Sequence, residues 1–146
     1  MKELFDVHCH MVPGVDDGAA DLEESLAMLK MQHEDGVRKI IITPHYRRRM
    51  FETPAKKVHE QFLKLQEAAK KEYPDMSLYL GCELHSNMDL QDILEKRKYV
   101  TMAGSSYVLL EFSEGDSHSI SVRESTMYCP AVMNRLSRMW SAIRQR

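Results

Sequence analysis

Residues 6 to 19, DVHCHMVPGVDDGA, set two histidines around a cysteine and follow them with two aspartates on a glycine turn. Imidazole and carboxylate groups ligate metals and carry protons. Side chains alternate along a strand, so His8 and His10 at a strand end face the same side and can grip one cation. Three later stretches repeat the arrangement. VRKIIITPH ends its apolar run in His45, MSLYLGCELH delivers Glu83, and SYVLLEFSEGD delivers Glu111. Taken singly, each is an ordinary solvated strand-end residue. Glu83 and Glu111, however, lie directly against apolar runs, where an unpaired buried carboxylate is costly. The Asp-Asp-Gly turn adds Asp17 or Asp16. Mixed histidine and carboxylate donors suit Zn, Mn or Fe without thiolates. A glutamate bridging two such cations gives a cluster that activates water and neutralises phosphate charge.

The elements that must position these groups follow from periodicity. Residues 4 to 8 read as a buried strand. Asp21 caps a helix with Glu24 completing a capping box, and Leu22, Leu26, Met28 and Leu29 form its stripe until Gly36 stops it. VRKIIITPH is a second strand, ended by Pro44. A helix follows from Pro54 to Tyr73, with Val58, Phe62, Leu65 and Ala69 on one side. MSLYLGCELH is a third strand, Asp89 to Lys98 another helix, and SYVLLEFSEGD a fourth strand. The βαβαβαβ alternation predicts an α/β fold with parallel strands and helical crossovers. Such a sheet or barrel gathers the carboxyl ends of its strands on one face, which brings the four donor-bearing stretches together. His33, His59 and His118 lack this placement and are left unassigned, as is His85. The three arginines of HYRRRMF either approach a phosphate, Arg47 first, or form a solvated charge run.

Composition narrows the setting. The chain has 146 residues, 43% hydrophobic and 29% charged, which fits one globular domain. A net charge of −2 gives no nucleic-acid surface. Three cysteines (Cys9, Cys82 and Cys129) without a C-x-x-C pair point to a reducing compartment, so a cytoplasmic location is expected. No apolar run is long enough to span a membrane and the N-terminus lacks a signal-peptide pattern, so membrane insertion is not expected.

DVHCHMVPGVDDGAADLEESLAM, ITPHY, LGCELH and LLEFSEGD together resemble the polymerase-and-histidinol-phosphatase (PHP) superfamily. Within it they are most similar to the manganese-dependent tyrosine phosphatases of capsule and exopolysaccharide operons, the CpsB/CapC type. The resemblance covers about residues 3 to 124, with Met11-Val12 replacing the usual apolar pair. It implies a distorted β/α barrel with up to three manganese ions, other divalent metals being possible. It also implies that His8 and His10 hold one metal, Glu83 bridges to a second, Asp17 and His45 serve the third, and Glu111 bridges again. Hydroxide held by the metals would attack phosphotyrosine with no covalent protein intermediate, and the substrate implied is a tyrosine-phosphorylated partner autokinase. The alternatives are a PHP phosphoesterase acting on a small ester such as histidinol phosphate, or a non-catalytic fragment.

After SEGDS the resemblance stops. Members of the family continue for roughly a hundred residues, through a strand carrying A-H-V-E-R-Y and a late Asp-x-His pair. The sequence is therefore read as an incomplete PHP domain over 1–124 and an aberrant tail over 125–146. With an unclosed barrel, this chain is expected to be poorly soluble and impaired as an enzyme. In the tail, Cys129 to Arg135 fits the C-x5-R pattern of cysteine-dependent phosphatases but lacks the glycines such a phosphate loop uses.

The genetic code offers an account of the tail. Reading one base earlier, the Met133–Asn134 junction gives a glutamate codon and the Met139–Trp140 junction a valine codon. The neighbouring codons can complete A-H-V-E-R-Y. The expectation is an out-of-frame translation that begins between about Glu124 and Val132. Sequencing the gene across codons 120 to 146 and beyond should show that restoring one base recovers A-H-V-E-R-Y and a downstream Asp-x-His pair. Codons incompatible with A-H-V-E-R-Y in that frame would refute it.

Overall fold

A computed structural model describes residues 3–85, 93, 101–111 and 126–128 of the chain. Seven strands and two α-helices are set out in it: β1 (Leu4–Asp6), α1 (Leu22–Glu34), β2 (Val37–Ile42), β3 (His45–Tyr46), α2 (Ala55–Glu72), β4 (Ser77–Leu80), β5 (Glu83–His85), β6 (Val108–Glu111) and β7 (Thr126–Tyr128). The expected mixed α/β order with parallel strands is present. One sheet runs β1-β2-β4, all parallel, and the other runs β3-β5-β6-β7.

Two strands expected to be continuous are each divided between the sheets. VRKIIITPH becomes β2 and β3, broken at Thr43-Pro44, and MSLYLGCELH becomes β4 and β5, broken at Gly81-Cys82. Proline lacks the N–H a ladder needs, which accounts for the first break. The two breaks lie side by side, and hydrogen bonds cross them. Gly81 N–H donates to the Ile42 carbonyl at 2.8 Å, and Glu83 N–H donates to the Pro44 carbonyl at 3.0 Å. The pairing thus continues while the strands bend.

The first strand differs from expectation in length and burial. It covers only Leu4–Asp6, with Leu4 50% and Phe5 61% exposed. Among the described residues it lies at a sheet edge, paired on one side with β2, and the Asp6 carboxylate accepts the His8 N–H at 3.0 Å, so the chain leaves the ladder there. The Lys39 ammonium covers the Phe5 ring at 4.9 Å from its centroid.

The helices form where their patterns place them. Asp21 caps α1 by accepting the Glu24 N–H at 2.9 Å, but the Glu24 carboxylate returns to the Ala20 N–H (2.7 Å) rather than to the cap itself. Asp35 and Gly36, the latter at φ +90°, end the helix in the left-handed conformation that suits glycine. Phe62, Leu65 and Ala69 of α2 are buried and Val58 is partly so. With Leu29, Ile40, Ile42 and Leu78 they make one core between the helices and the first sheet. The fourth expected strand appears as Val108–Glu111, its three apolar residues buried. The expected helix over Asp89–Lys98 lies outside the described residues except for Ile93, which is helical and buried. The tail, read as aberrant, supplies β7. Its Thr-Met-Tyr run pairs antiparallel with β6, Leu109 opposite Met127.

Two leucines on α2 isolate the worth of this core. Leu65 is fully buried and Leu63 is 47% exposed. Leu65→Ala should cost about 2–5 kcal/mol in urea melts and Leu63→Ala much less, about 0.5 kcal/mol plus its partial burial. Equal losses would mean that α2 packs differently.

Candidate metal centre

The segment after β1 is held from several sides. The Cys9 carbonyl accepts the Thr43 N–H at 2.8 Å, and the His10 carbonyl accepts the Ala19 N–H at 3.0 Å. Gly18 lies against His10 so closely that a Cβ there would overlap the His10 carbonyl oxygen and Cβ. No other residue fits that contact. Anchored in this way, His8 and His10 bring their Nε2 atoms within 3.2 Å of each other.

Both point at Glu83. Its Oε2 lies 3.1 Å from His8 Nε2, 3.1 Å from His10 Nε2 and 3.3 Å from His45 Nδ1. Glu83 is 2% exposed, at the start of β5 and opposite His45 of β3. Glu111, at the end of β6, brings its Oε2 to 3.8 Å from His45 Nδ1. Asp17, largely exposed, reaches His45 Nε2 at 3.7 Å. The structure therefore brings His8, His10, Asp17, His45, Glu83 and Glu111 together, with His8 and His10 beyond the end of β1, His45 and Glu83 at the starts of β3 and β5, and Glu111 at the end of β6.

The two aspartates of the turn divide their work. Asp16 Oδ2 accepts from His10 Nδ1 and from the His45 N–H, both at 2.8 Å, and its Oδ1 accepts the Gly18 N–H at 3.1 Å. Its oxygens are thus occupied by groups that hold His10 and His45, while Asp17 keeps an oxygen toward the cluster. A carboxylate behind one ring nitrogen fixes the tautomer and turns the other nitrogen toward a ligand. This orienting role for Asp16 was not separable from a ligand role in the sequence, where two adjacent aspartates look alike. Phe51 is a second addition, since its ring stacks on His45 at 5.1 Å and 9°. No sequence signal marked it.

Charge balance tests whether these residues fit a cation. Burial alone would lower the His10 pKa, but hydrogen bonds to Asp16 and Glu83 outweigh it and push it from 6.5 to about 10. Burial would raise both carboxyls. Hydrogen bonds from His10, with backbone N–H groups for Asp16 and the charge of His8 for Glu83, hold them below their ordinary values. Among the described residues, two buried atoms, His45 Nδ1 and Glu111 Oε2, make no hydrogen bond, although each lies within ion-pair distance of a neighbour in the cluster. In two groups that share His10, namely His8/His10/Glu83 and His10/Asp17/His45, the donor atoms all lie within 4.8 Å of one another. Ligands on one divalent ion stand roughly 3–4 Å apart. Clustered acids, neutral-capable imidazoles and orphaned donors fit divalent cations. Cys9, between the two histidines, does not offer a thiolate, because burial and the nearby Asp6 charge push its thiol up.

The sequence matches, over residues 4–128, the family described as capsular polysaccharide synthesis, CpsB/CapC. It is 41% identical over 115 residues to tyrosine-protein phosphatase CpsB of Streptococcus pneumoniae, spanning 79% of this chain and 47% of that protein. It is 30% identical over 109 residues to tyrosine-protein phosphatase YwqE of Bacillus subtilis (strain 168), spanning 75% of this chain and 43% of that one. The fold resembles a chain from the crystal structures of YwqE and of S. pneumoniae CpsB, described as unique metal-dependent tyrosine phosphatases. That likeness has a TM-score of 0.68 and 30% identity, over 75% of this chain and 44% of the other. The chain spans about half the length of the curated relatives it matches.

The His10 shift sets a stability profile. A pKa raised from 6.5 to about 10 on folding contributes stability in full below pH 6.5 and loses it as pH rises through about 10. The lowered Asp16 and Glu83 values lose theirs as pH falls below the ordinary carboxylate range. Thermal melts of the cation-free protein should fall on the alkaline side. Manganese should remove that fall by replacing the proton, and His10→Gln should flatten it without metal. An alkaline slope unchanged by manganese and by His10→Gln would contradict the assignment.

Proposed function

Because this chain belongs to the CpsB/CapC family of capsular polysaccharide synthesis proteins, we propose that its cluster serves metal-dependent hydrolysis of phosphotyrosine on a protein substrate. The observation that carries this reading is the buried Glu83 carboxylate facing three imidazoles beside the orphaned His45 Nδ1 and Glu111 Oε2. His8, His10, Asp17, His45, Glu83 and Glu111 would hold the ions, and manganese is the metal we assign. When bound, such ions supply positive charge for phosphoryl oxygens and lower the pKa of water.

The chain's own residues do the rest. Asp16 fixes the His10 ring, and Phe51 stacks on the face of His45. The kinked β3 and β5 hold His45 and Glu83 in register, which keeps the donors in place before substrate arrives. Arg47 lies two residues beyond His45, where its guanidinium would take a non-reacting phosphate oxygen. Among the described residues no helix is long and apolar enough to cross a membrane. Our reading places the protein in the cytoplasm, in keeping with the free thiols of Cys9 and Cys82, with a tyrosine-phosphorylated autokinase as substrate.

The test measures manganese-dependent phosphate release from a phosphotyrosine peptide and from histidinol phosphate, using this chain and its frame-restored form. The frame-restored protein should hydrolyse the peptide in preference to the small ester. His10→Ala or Glu83→Ala should each lower the rate at least about a hundredfold. In the 146-residue chain, Cys129→Ser should leave whatever rate it shows unchanged. Preference for histidinol phosphate would point to another phosphoesterase, and loss of activity on cysteine replacement alone would point to a thiolate mechanism.

A further inference from the structure

The hairpin after β3 is not consumed by the cluster. Arg47 and Phe51 pair as an antiparallel bridge, with the Arg47 N–H donating to the Phe51 carbonyl at 2.9 Å. The Arg47 carbonyl accepts from Met50 at 3.1 Å and from Phe51 at 2.8 Å. Its root is tied to the site twice. Phe51 stacks on His45, and the Thr53 hydroxyl donates to the Val15 carbonyl at 2.7 Å, next to the Asp16-Asp17 turn. Its tip, Arg48-Arg49-Met50, is exposed.

Two independent observations set this tip apart. Arg49 has φ +68°, in the left-handed region that costs a residue with a Cβ and suits glycine. Being exposed, Arg49 recovers nothing from packing for that strain. A glycine would hold the same turn at less cost, so the arginine brings its charge to the tip at the expense of strain. The second observation is charge. The chain carries a net −2, yet Arg47 and Arg49 both set a cation on this one hairpin beside His45, on either side of an Arg48 that is already engaged. Among the described residues, neither the Arg47 nor the Arg49 guanidinium takes a carboxylate partner.

We infer that the Arg47–Phe51 hairpin is a ledge that reads negative charge on the substrate chain beside the phosphotyrosine, with Arg49 making the contact at its tip. This rests on the phosphotyrosine reading above and deepens it. The recognised chemistry is an oxyanion, either a flanking carboxylate or a second phosphate, because the guanidinium fork matches both. Arg47, nearer His45, remains the group for the reacting phosphate. The Arg49 cation also draws an acidic segment toward the site before contact.

Arg49→Gly separates side chain from backbone, since glycine is at ease at that φ and the hairpin survives. The experiment follows fluorescence anisotropy of labelled peptides on the 146-residue chain with manganese. Four peptides are compared: phosphotyrosine flanked by alanines, by aspartates, or by a second phosphotyrosine, and the aspartate peptide without phosphate. Parent protein should bind the charged-flank phosphopeptides about threefold tighter than the alanine-flanked one. That preference should vanish between about 0.05 M and 0.5 M salt. Arg49→Gly should abolish it while raising the melting temperature. Of the two charged-flank peptides, the tighter one names the source of the oxyanion. A parent with no preference, or a variant that keeps it, overturns the ledge. If Arg49-dependent binding of the aspartate peptide is the same with and without phosphate, the ledge stands and the phosphotyrosine reading falls.

Discussion

One buried carboxylate organises this molecule. Glu83 is enclosed by β3, β5 and the loop after β1, where an uncompensated negative charge would cost several kcal/mol, of order 3–5. Three imidazoles converge on its Oε2 to offset that cost. They come from two stretches of chain, and each is fixed by something behind it. Asp16 stands behind His10, Phe51 lies against His45, and the backbone of His8 is tied to Asp6. Remove the carboxylate and these supports orient rings toward nothing. The compensation a proton gives on His10 is the same that a divalent ion would give to the whole group.

The bend between the two sheets serves that carboxylate. Had VRKIIITPH and MSLYLGCELH run straight, His45 and Glu83 would continue the plane of β2 and β4. Instead the chain turns at Thr43-Pro44 and Gly81-Cys82, and hydrogen bonds from Gly81 to Ile42 and from Glu83 to Pro44 carry the pairing through. The first sheet faces the helices with Ile40, Ile42 and Leu78, while the second carries polar groups at the crease. One continuous pair of segments thus builds a core on one side and a charged pocket on the other.

Much of this could be read from the sequence because the physics involved is local or periodic. Both helices followed from their stripes and stops, and the meeting of His8, His10, His45, Glu83 and Glu111 was expected from parallel strands, although β1 stops at Asp6 before the histidines and His45 and Glu83 begin rather than end their strands. What could not be read depends on contacts between distant segments. The capping-box glutamate chose the Ala20 N–H over its own cap. Leu4 and Phe5, apolar enough to suggest burial, stay exposed because the strand is an edge. Whether Asp16 or Asp17 would face the cluster turned on which one met the N–H groups of His45 and Gly18, which no spacing rule anticipates. The stacking of Phe51 on His45 depends on a hairpin that a run of arginines does not advertise.

Around Glu83, the His8–His10 segment, His45 and Glu83 itself lie dozens of residues apart along the chain, and they meet only after α1 or α2 and a parallel crossover have been laid down between them. Contacts of such long range form late in folding, after the chain has met the entropy of closing those loops. Local structure in α1 and α2 can appear without them. A cation could therefore not seed this fold in the way it seeds a zinc finger. It would register that the strands had already come into register, and metal uptake would be a clock for the last stage of folding.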